Sequence, residues 1–521
     1  MSPERTILID YVLPDRRHSQ GVKKAPLSSY TLALLLAQTP RELMGCRVTA
    51  RVHDEQARGP YDPEKAQPDI LCITYLTTGA PRAYDLSDRA LRSTSQSGEP
   101  IKVVHGGVHA TSLPREALLH AHVAVRGEVT PEFQQRILER ALEMDNGDRE
   151  IMRVPTPPDV ISRPPADWSW MRRKDYILAP VIQTSVGCPF HCDFCSVTEV
   201  FGAAMRAVSE ESLRRELSTL SNRILLPIID DNFLQGVQPR HIDHCIRVAA
   251  ILHEMGFRWV TEVTVRTLID AQKKLATERP GFDLIRYFAE HGCRGFFFGI
   301  ETIDEDGAGL SKSRCATETV ELIRRCHANG LGVLGAFVIG VGANETADSA
   351  KRLLDFAVEE ARVDFAQFSI NTPMPGARNF LTGIRDGTVF DFDWERYDAE
   401  HCVMHHPRMS PSAMEETHRW LYNSFYSYRN IRRRFDLLPL LTLSPSVWRR
   451  FAIGVPVNLL LHNTNRSWNN RLDAAAPHEV VPEPHPLVTE HVNHALGPDP
   501  IRPGDLFNVR KQDDLDVALR T

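Results

Sequence analysis

The sequence predicts an α/β protein with two α/β domains in series, followed by a helix-rich C-terminal extension. Short apolar runs alternate with helical patterns through residues 1–150, a proline-bearing stretch interrupts them over 151–178, and the alternation restarts at Val181 with six strand-like runs. The first domain reads as doubly wound, and the second, residues 179–380, as a partial six-unit β/α barrel.

In the first domain Thr6–Val12, Arg47–Val52, Asp69–Tyr75, Ile101–Val104 and Val123–Val125 read as strands, separated by helices such as Ser29–Gln38 and Glu132–Glu143. A ligand is expected at the carboxyl ends of such strands. Pro155, Pro157, Pro158, Pro164 and Pro165 mark a stiff linker. The second domain has Val181–Gln183, Ile224–Ile229, Trp259–Val265, Gly295–Ile300, Gly332–Gly340 and Asp364–Ile370 as strands, with helices such as Thr317–Ala328 and Ala347–Glu360 between them. Residues 381–475 are helix-rich with aromatics and arginines, and 476–521 read as an irregular, loosely packed tail.

A chain of 521 residues with 42% hydrophobic content holds two or three globular domains. Net charge is −6 from 61 basic and 67 acidic residues, which gives no field to gather nucleic acid. The apolar run Phe451–Leu461 carries Pro and Asn and falls short of the about 20 residues that span a bilayer. Cys46, Cys72, Cys245, Cys293, Cys315, Cys326 and Cys402 lie mostly in apolar or helical surroundings and read as small buried hydrophobes. With no secretory signal, they point to a reducing cytoplasm.

The remaining cysteines, Cys188, Cys192 and Cys195, form a C-x3-C-x2-C cluster just after the strand-like run at Val181. Three thiolates on one short loop can ligate three corners of a 4Fe-4S cluster and leave the fourth iron open. A disulfide framework does not suit a long chain with scattered cysteines, and a structural zinc site needs a fourth ligand at matched spacing. His191, wedged between the thiols, reads as solvated. Polar residues stand where barrel strands end: Asp230-Asp231-Asn232-Phe233 and Glu301-Thr302. Carboxylates there suit a cationic, hydroxyl-rich ligand, the plainer alternative being helix N-capping.

This half of the chain resembles the radical S-adenosylmethionine (SAM) superfamily, in which the open iron chelates SAM and the reduced cluster cleaves it to a 5′-deoxyadenosyl radical. The resemblance implies that Asp230 and Asp231 lie by the methionine amino group, that Phe194 packs on adenine, that Gly299 and Glu301 sit near the ribose, and that the strand holding Val338 meets adenine. Val186 departs from the arginine often found there.

The first domain resembles the Rossmann-like cobalamin-binding domain fused to many radical SAM enzymes. Thr74-Tyr75-Leu76, Ala83-Tyr84, Gly106-Gly107-Val108-His109, Pro114–Glu116 and Arg126-Gly127-Glu128 carry that likeness in order. It implies cobalamin contacts at Thr74, Leu76, Gly106, Gly107, His109 and Gly127. Asp15-Arg-Arg-His18 has one residue too many for the cobalt-ligating Asp-x-His signature, so His18 reads as solvated loop. A segment with Trp394, Tyr397, Asp398, His401, Pro407 and Met409 resembles a C-terminal extension of the same subgroup. From it His401 or Tyr397 would take a substrate proton. His401, His405 and His406 read as a capping loop rather than a metal site.

The resemblance implies a cobalamin-dependent radical SAM methyltransferase that C-methylates an unactivated carbon in a small-molecule or natural-product substrate. Its cofactors would be a 4Fe-4S cluster, SAM and cobalamin, and an external donor such as flavodoxin or ferredoxin would reduce it. Two alternatives stay open: a cyclase, oxidase or rearrangement enzyme of the same architecture, and a non-catalytic cobalamin or redox sensor. Arg429, Arg432, Arg433 and Arg434 would suit an anionic substrate, and the apolar stretch near Leu459 a lipid or polyketide.

Overall fold

The structure is a computed structural model and describes residues 5–15, 25–154, 160–161, 163–221, 225–303, 316–435, 448, 452–463 and 480–496. The first domain is a seven-stranded sheet in the spatial order Glu42–Leu43, Cys46–Asp54, Thr6–Leu13, Ile70–Thr74, Lys102–Gly106, Val123–Arg126, Glu150–Arg153. The five expected strands are all present and parallel, and Glu42–Leu43 adds an antiparallel edge. Every residue of Ile70–Thr74 is buried, as a parallel strand covered on both faces requires. Ile7, Ile9 and Tyr11 point into one face's core, and Val12, Leu71 and Ile73 into the other. Strand order reverses between Thr6–Leu13 and Ile70–Thr74. That crevice is where a doubly wound sheet takes its ligand.

The proline-bearing stretch is packed rather than free. Glu150–Arg153 joins the first sheet, and Tyr176–Leu178 pairs with Ala25–Leu27. Ala166 and Val181 are buried with Tyr30 and Ala33, and the Tyr30 hydroxyl reaches across to donate to Glu216 at 3.0 Å. Pro155, Pro157 and Pro158 lie outside the described residues.

The second domain's sheet has five parallel strands in ladder: Leu225–Ile228, Arg258–Thr264, Cys293–Glu301, Gly332–Ile339 and Phe365–Ile370. The sixth expected strand, the one before the cysteines, contributes one parallel bridge, Ile182 to Ile228. Past it the chain turns away, because Thr184 and Ser185 are drawn to Asp230. Ser185–Val186 then pairs with Arg206–Ala207 instead.

The far edge strand, Phe365–Ile370, is closed by side chains. Along the helix Pro411–Phe425 and just past its end, His418, Tyr422 and Tyr426 stand four residues apart on one stripe. His418 donates to Phe368 O at 2.9 Å, Tyr422 accepts from Phe368 N at 3.2 Å, and Tyr426 both accepts from Ala366 N and donates to Ala366 O. Arg434 and Asn458 take the carbonyl of Asp364. Backbone groups that would otherwise invite another strand are thereby satisfied.

The C-terminal extension packs on the first domain: Phe380, Val389, Phe392, Trp394 and Tyr397 share a core with Ile73, Tyr75 and Tyr84. Where the sequence suggests an irregular tail, Pro486–Leu496 is a helix. Val488 and Val492, one turn apart, bury its inner face in that same core.

Candidate functional site

The cysteine loop is shaped by Gly187. Its φ is +97°, and a Cβ there would lie 2.6 Å from Ala204 O, so only glycine fits. Gly187 N donates to Asp231 Oδ2 at 2.8 Å, Cys188 N to Gly202 O at 3.2 Å, and Thr198 Oγ1 to Phe190 O at 2.7 Å. Cys188 and Cys192 are buried and Cys195 is half-buried, and the nine described cysteines are all free thiols. A small cavity of about 20 Å³ opens beside them, lined by His191, Cys192, Cys195, Thr198, Glu199 and Arg378 among others. Among the described residues no three His, Cys, Asp or Glu side chains converge on a single ion. In a 4Fe-4S cluster the thiolates each meet a different iron and need not converge on one ion. Three soft donors on one loop fit the cluster by their chemistry. His191 is exposed, as expected of a solvated side chain.

Glu199 carries no motif and the sequence does not single it out. It lines the same cavity from the short helix Val197–Phe201, and burial raises its carboxyl to about 7 against the pull of Arg126 and Arg378. Only the fold brings those two arginines to it.

The strand-end carboxylates divide. Asp230 is buried and accepts from Thr184 N and Thr184 Oγ1, each at 2.6 Å, and from Ser185 Oγ at 2.8 Å. This corrects the expectation of a SAM contact there: its carboxylate is consumed in tying the strand-end bend. Asp231 stays at the mouth, gripping the cysteine loop through Gly187 N, and burial raises it to about 6. Glu301 sits at a β-bulge with φ +66°, and its carboxylate folds over Gly299, where a Cβ would lie 2.6 Å from Glu301 Oε1. Gly299 is therefore what lets that carboxylate lie along its own strand. Phe194 is half-buried between the second and third cysteines. Val338 lines a small cavity with Thr302, Ile339 and Met409.

In the first domain, Leu76 projects 62% exposed from the carboxyl end of its strand, next to buried Thr74. Gly106 has open space where a side chain would be, so a bulky ligand can approach it. Gly107 differs from expectation. With φ +92° and a Cβ position 2.7 Å from both Tyr75 N and Tyr75 O, it serves the crossing of two strand ends. Gly127 turns at φ +105° and donates to Thr111 Oγ1 at 3.2 Å. His109 is also corrected. It is fully buried, 3.2 Å from the Tyr84 hydroxyl and 3.6 Å from Glu116, so it belongs to the core and not to a ligand surface. His18 lies outside the described residues.

Tyr397 is 1% exposed and donates to Asp391 O at 2.9 Å, with burial holding its hydroxyl well above the usual range. It is a core side chain, which removes it as a proton acceptor. His401 remains half-buried, with Nδ1 3.0 Å from Asp398 and its pKa raised by that carboxylate against the opposing effect of burial. His406 is spent on Gly342 O.

The two regions meet. A Cβ on Gly376 would lie 2.8 Å from Ser112 Oγ, at the end of the helix Gly107–Ser112, and 3.4 Å from Ser196, next to Cys195. Glu128, beside Gly127, pairs with Arg206 at 2.8 Å. The carboxyl edge of the first sheet thus faces the cysteine loop directly.

Residues 182–357 match the radical SAM superfamily model. The chain is 27% identical over 392 residues to an uncharacterized methyltransferase of Pyrococcus horikoshii, covering 70% of this chain and 80% of that one. It is 24% identical to the bacteriochlorophyllide d C-12(1)-methyltransferase of Chlorobaculum tepidum, over 71% of this chain and 78% of the other. Its fold superposes on the radical SAM methyltransferase TsrM of Kitasatospora setae, solved with cobalamin and a 4Fe-4S cluster, at a TM-score of 0.60 and 14% identity, over 89% of this chain and all of that one. With the cysteine loop, the parallel half-barrel and the doubly wound domain in place, residues 182–357 form a radical SAM domain, and the chain as a whole shares the fold of TsrM.

Proposed function

We propose that this protein is a cobalamin-dependent radical SAM methyltransferase acting on an unactivated carbon of a small molecule. The observation that carries the proposal is the direct apposition of two sites, with Gly376 wedged between Ser112 of the first domain and Ser196 of the cysteine loop. A methyl donor held at one sheet edge and a radical generated at the other loop must share one substrate, and here no spacer separates them. The named relatives, both methyltransferases, support the same reading.

When bound, the cluster with SAM would supply hydrogen abstraction and cobalamin a transferable methyl group. The chain's own residues position these groups. Cys188, Cys192 and Cys195 present the thiolates, and Asp231 fixes the loop through Gly187 N. Gly106 and Leu76 offer an open, apolar edge that would suit a flat macrocycle, and Glu301, held along its strand, would be the carboxylate offered to the hydroxyl-bearing part of SAM. Asp398 holds His401 by Nδ1, leaving Nε2 to exchange a proton with substrate. A reductant such as flavodoxin or ferredoxin would deliver electrons at the cysteine loop, whose Pro189 and His191 are exposed. The free thiols suit a reducing cytoplasm, and the net charge of −6 argues against nucleic-acid substrates.

The test uses anaerobically reconstituted protein, low-potential reductant and SAM labelled in its methyl group. Product carbon should carry the label, with one 5′-deoxyadenosine and one S-adenosylhomocysteine formed per product. An oxidised, cyclised or rearranged product without label would establish the rival enzyme class, and no deoxyadenosine at all would leave only a sensor.

A further inference from the structure

The helix over residues 452–463 contains no charged side chain. Its inner stripe is Gly454, Asn458 and His462, four residues apart. A Cβ on Gly454 would lie 2.5 Å from the Phe435 ring, Asn458 bonds Arg434 and Asp364, and His462 donates to Tyr426 O. This stripe docks the helix firmly and fixes which side faces outward. The outward side is Ala452, Ile453, Pro456, Val457, Leu459 and Leu460, with Ile453 58% and Leu460 64% exposed. A docked helix normally turns its polar side to water, so this arrangement is inverted.

Two further features adjoin that face. Tyr428 is 61% exposed with its ring 4.3 Å from that of His462, and Trp448 is 49% exposed at the other end of the helix. Arg432 lies one turn beyond Tyr428 on the helix Tyr428–Arg434, and Arg429 is beside it; both are exposed and form no ion pair with a described carboxylate. An apolar strip rimmed by an amphipathic tyrosine and tryptophan and flanked by unpaired arginines matches the interface of an anionic bilayer. No described helix is long and apolar enough to cross one.

We infer that this face is a docking surface for an anionic lipid bilayer, on which the 452–463 helix lies with Ile453, Val457 and Leu460 among the acyl chains and Arg429 and Arg432 at the headgroups. The inference is independent of methyl transfer.

The test is flotation of the full-length protein with vesicles of equimolar phosphatidylcholine and phosphatidylglycerol at low salt. The protein should float with them, and much less with phosphatidylcholine alone. Ile453→Asp with Leu460→Asp should weaken binding about tenfold or more, because two apolar anchors are lost. Both side chains point outward, so thermal melting should stay unchanged and separate lost docking from lost folding. Leu460→Trp should still bind, with its emission shifted to the blue on adding vesicles. Arg429→Gln with Arg432→Gln should abolish the preference for anionic vesicles. Failure of the unaltered protein to float would overturn the proposal, as would equal flotation of the double aspartate variant. A dimer dispersed by the aspartates would assign the face to a second copy, and an unaltered protein that stays off vesicles but melts lower with the aspartates would assign it to a cover from elsewhere in the chain; both outcomes overturn it.

Discussion

Trp394 Nε1 donates to Glu116 Oε1 at 2.8 Å across 278 residues of sequence, and both side chains are buried. This bond seats the C-terminal extension in the first domain, with the Trp394 ring edge-on to His109 at 5.3 Å. Trp394→Phe keeps the ring packing and strands a buried carboxylate. Urea unfolding should show a loss of about 1–3 kcal/mol. A double-mutant cycle with Glu116→Ala should give a coupling of about 1 kcal/mol, and zero coupling would mean that the bond contributes nothing.

Each of Cys188→Ala, Cys192→Ala and Cys195→Ala should lose the cluster, read as iron content falling from about four per chain and loss of the sulfur-to-iron absorption. Cys245→Ala, a buried thiol that donates to Phe233 O, should keep both. Gly187→Ala should lose the cluster too, since its Cβ would meet Ala204 O at 2.6 Å. A full iron complement in Gly187→Ala would show that the loop relaxes around the clash.

The paired glycines should separate by experiment. Gly107→Ala forces a side chain into φ +92° and onto the Tyr75 backbone, and should cost about 2 kcal/mol or more in thermal or urea unfolding. Gly106→Leu fills open space and should leave folding almost unchanged while weakening corrinoid binding, read by the visible spectrum of bound cobalamin. Equal effects of the two on stability would refute the division of labour.

Glu216 accepts from the Tyr30 hydroxyl at the contact between the two domains, and burial raises its carboxyl to about 7. The folded state therefore holds a proton that the unfolded chain releases near pH 4.5. Stability should fall as pH rises from about 4.5 to about 7, by an amount on the order of 3 kcal/mol from this group alone. Glu216→Gln keeps an acceptor for Tyr30 and should flatten that part of the curve. Parallel pH profiles for the two proteins would exclude Glu216 as the source.

Tyr426→Phe removes both the donor and the acceptor that Ala366 uses at the sheet edge. A cost of about 1–3 kcal/mol is expected in unfolding measurements, larger than for Tyr422→Phe, which strands Phe368 N alone.

Periodicity and spacing made most of the framework legible. The five apolar runs of the first domain could only be parallel strands between helices, and three cysteines within eight residues announced their chemistry. Long-range pairing was not legible. Nothing near His109 or Tyr397 reveals that Glu116 and Trp394 meet and draw both into one core, so two polar side chains read as functional are buried. Asp230 looked like a ligand contact because the turn that it ties is visible only once Thr184 bends toward it. Val488 and Val492 were hidden in a proline- and histidine-bearing run, and Glu199 depends on arginines 73 residues before and 179 after it.

The side-chain closure of the last strand has a mechanical consequence. The helix Pro411–Phe425 and the strand Phe365–Ile370 are stitched at successive turns, so neither can slide or rotate alone without breaking several bonds together. The segment between them is pinned as well, because Ile370 N donates to Ala399 O at 2.7 Å and Cys402 N to Glu415 at 3.0 Å. His401 stands between those two pins. Its place is set when the protein folds, so in the proposed role it would meet substrate as a preset histidine rather than a mobile one.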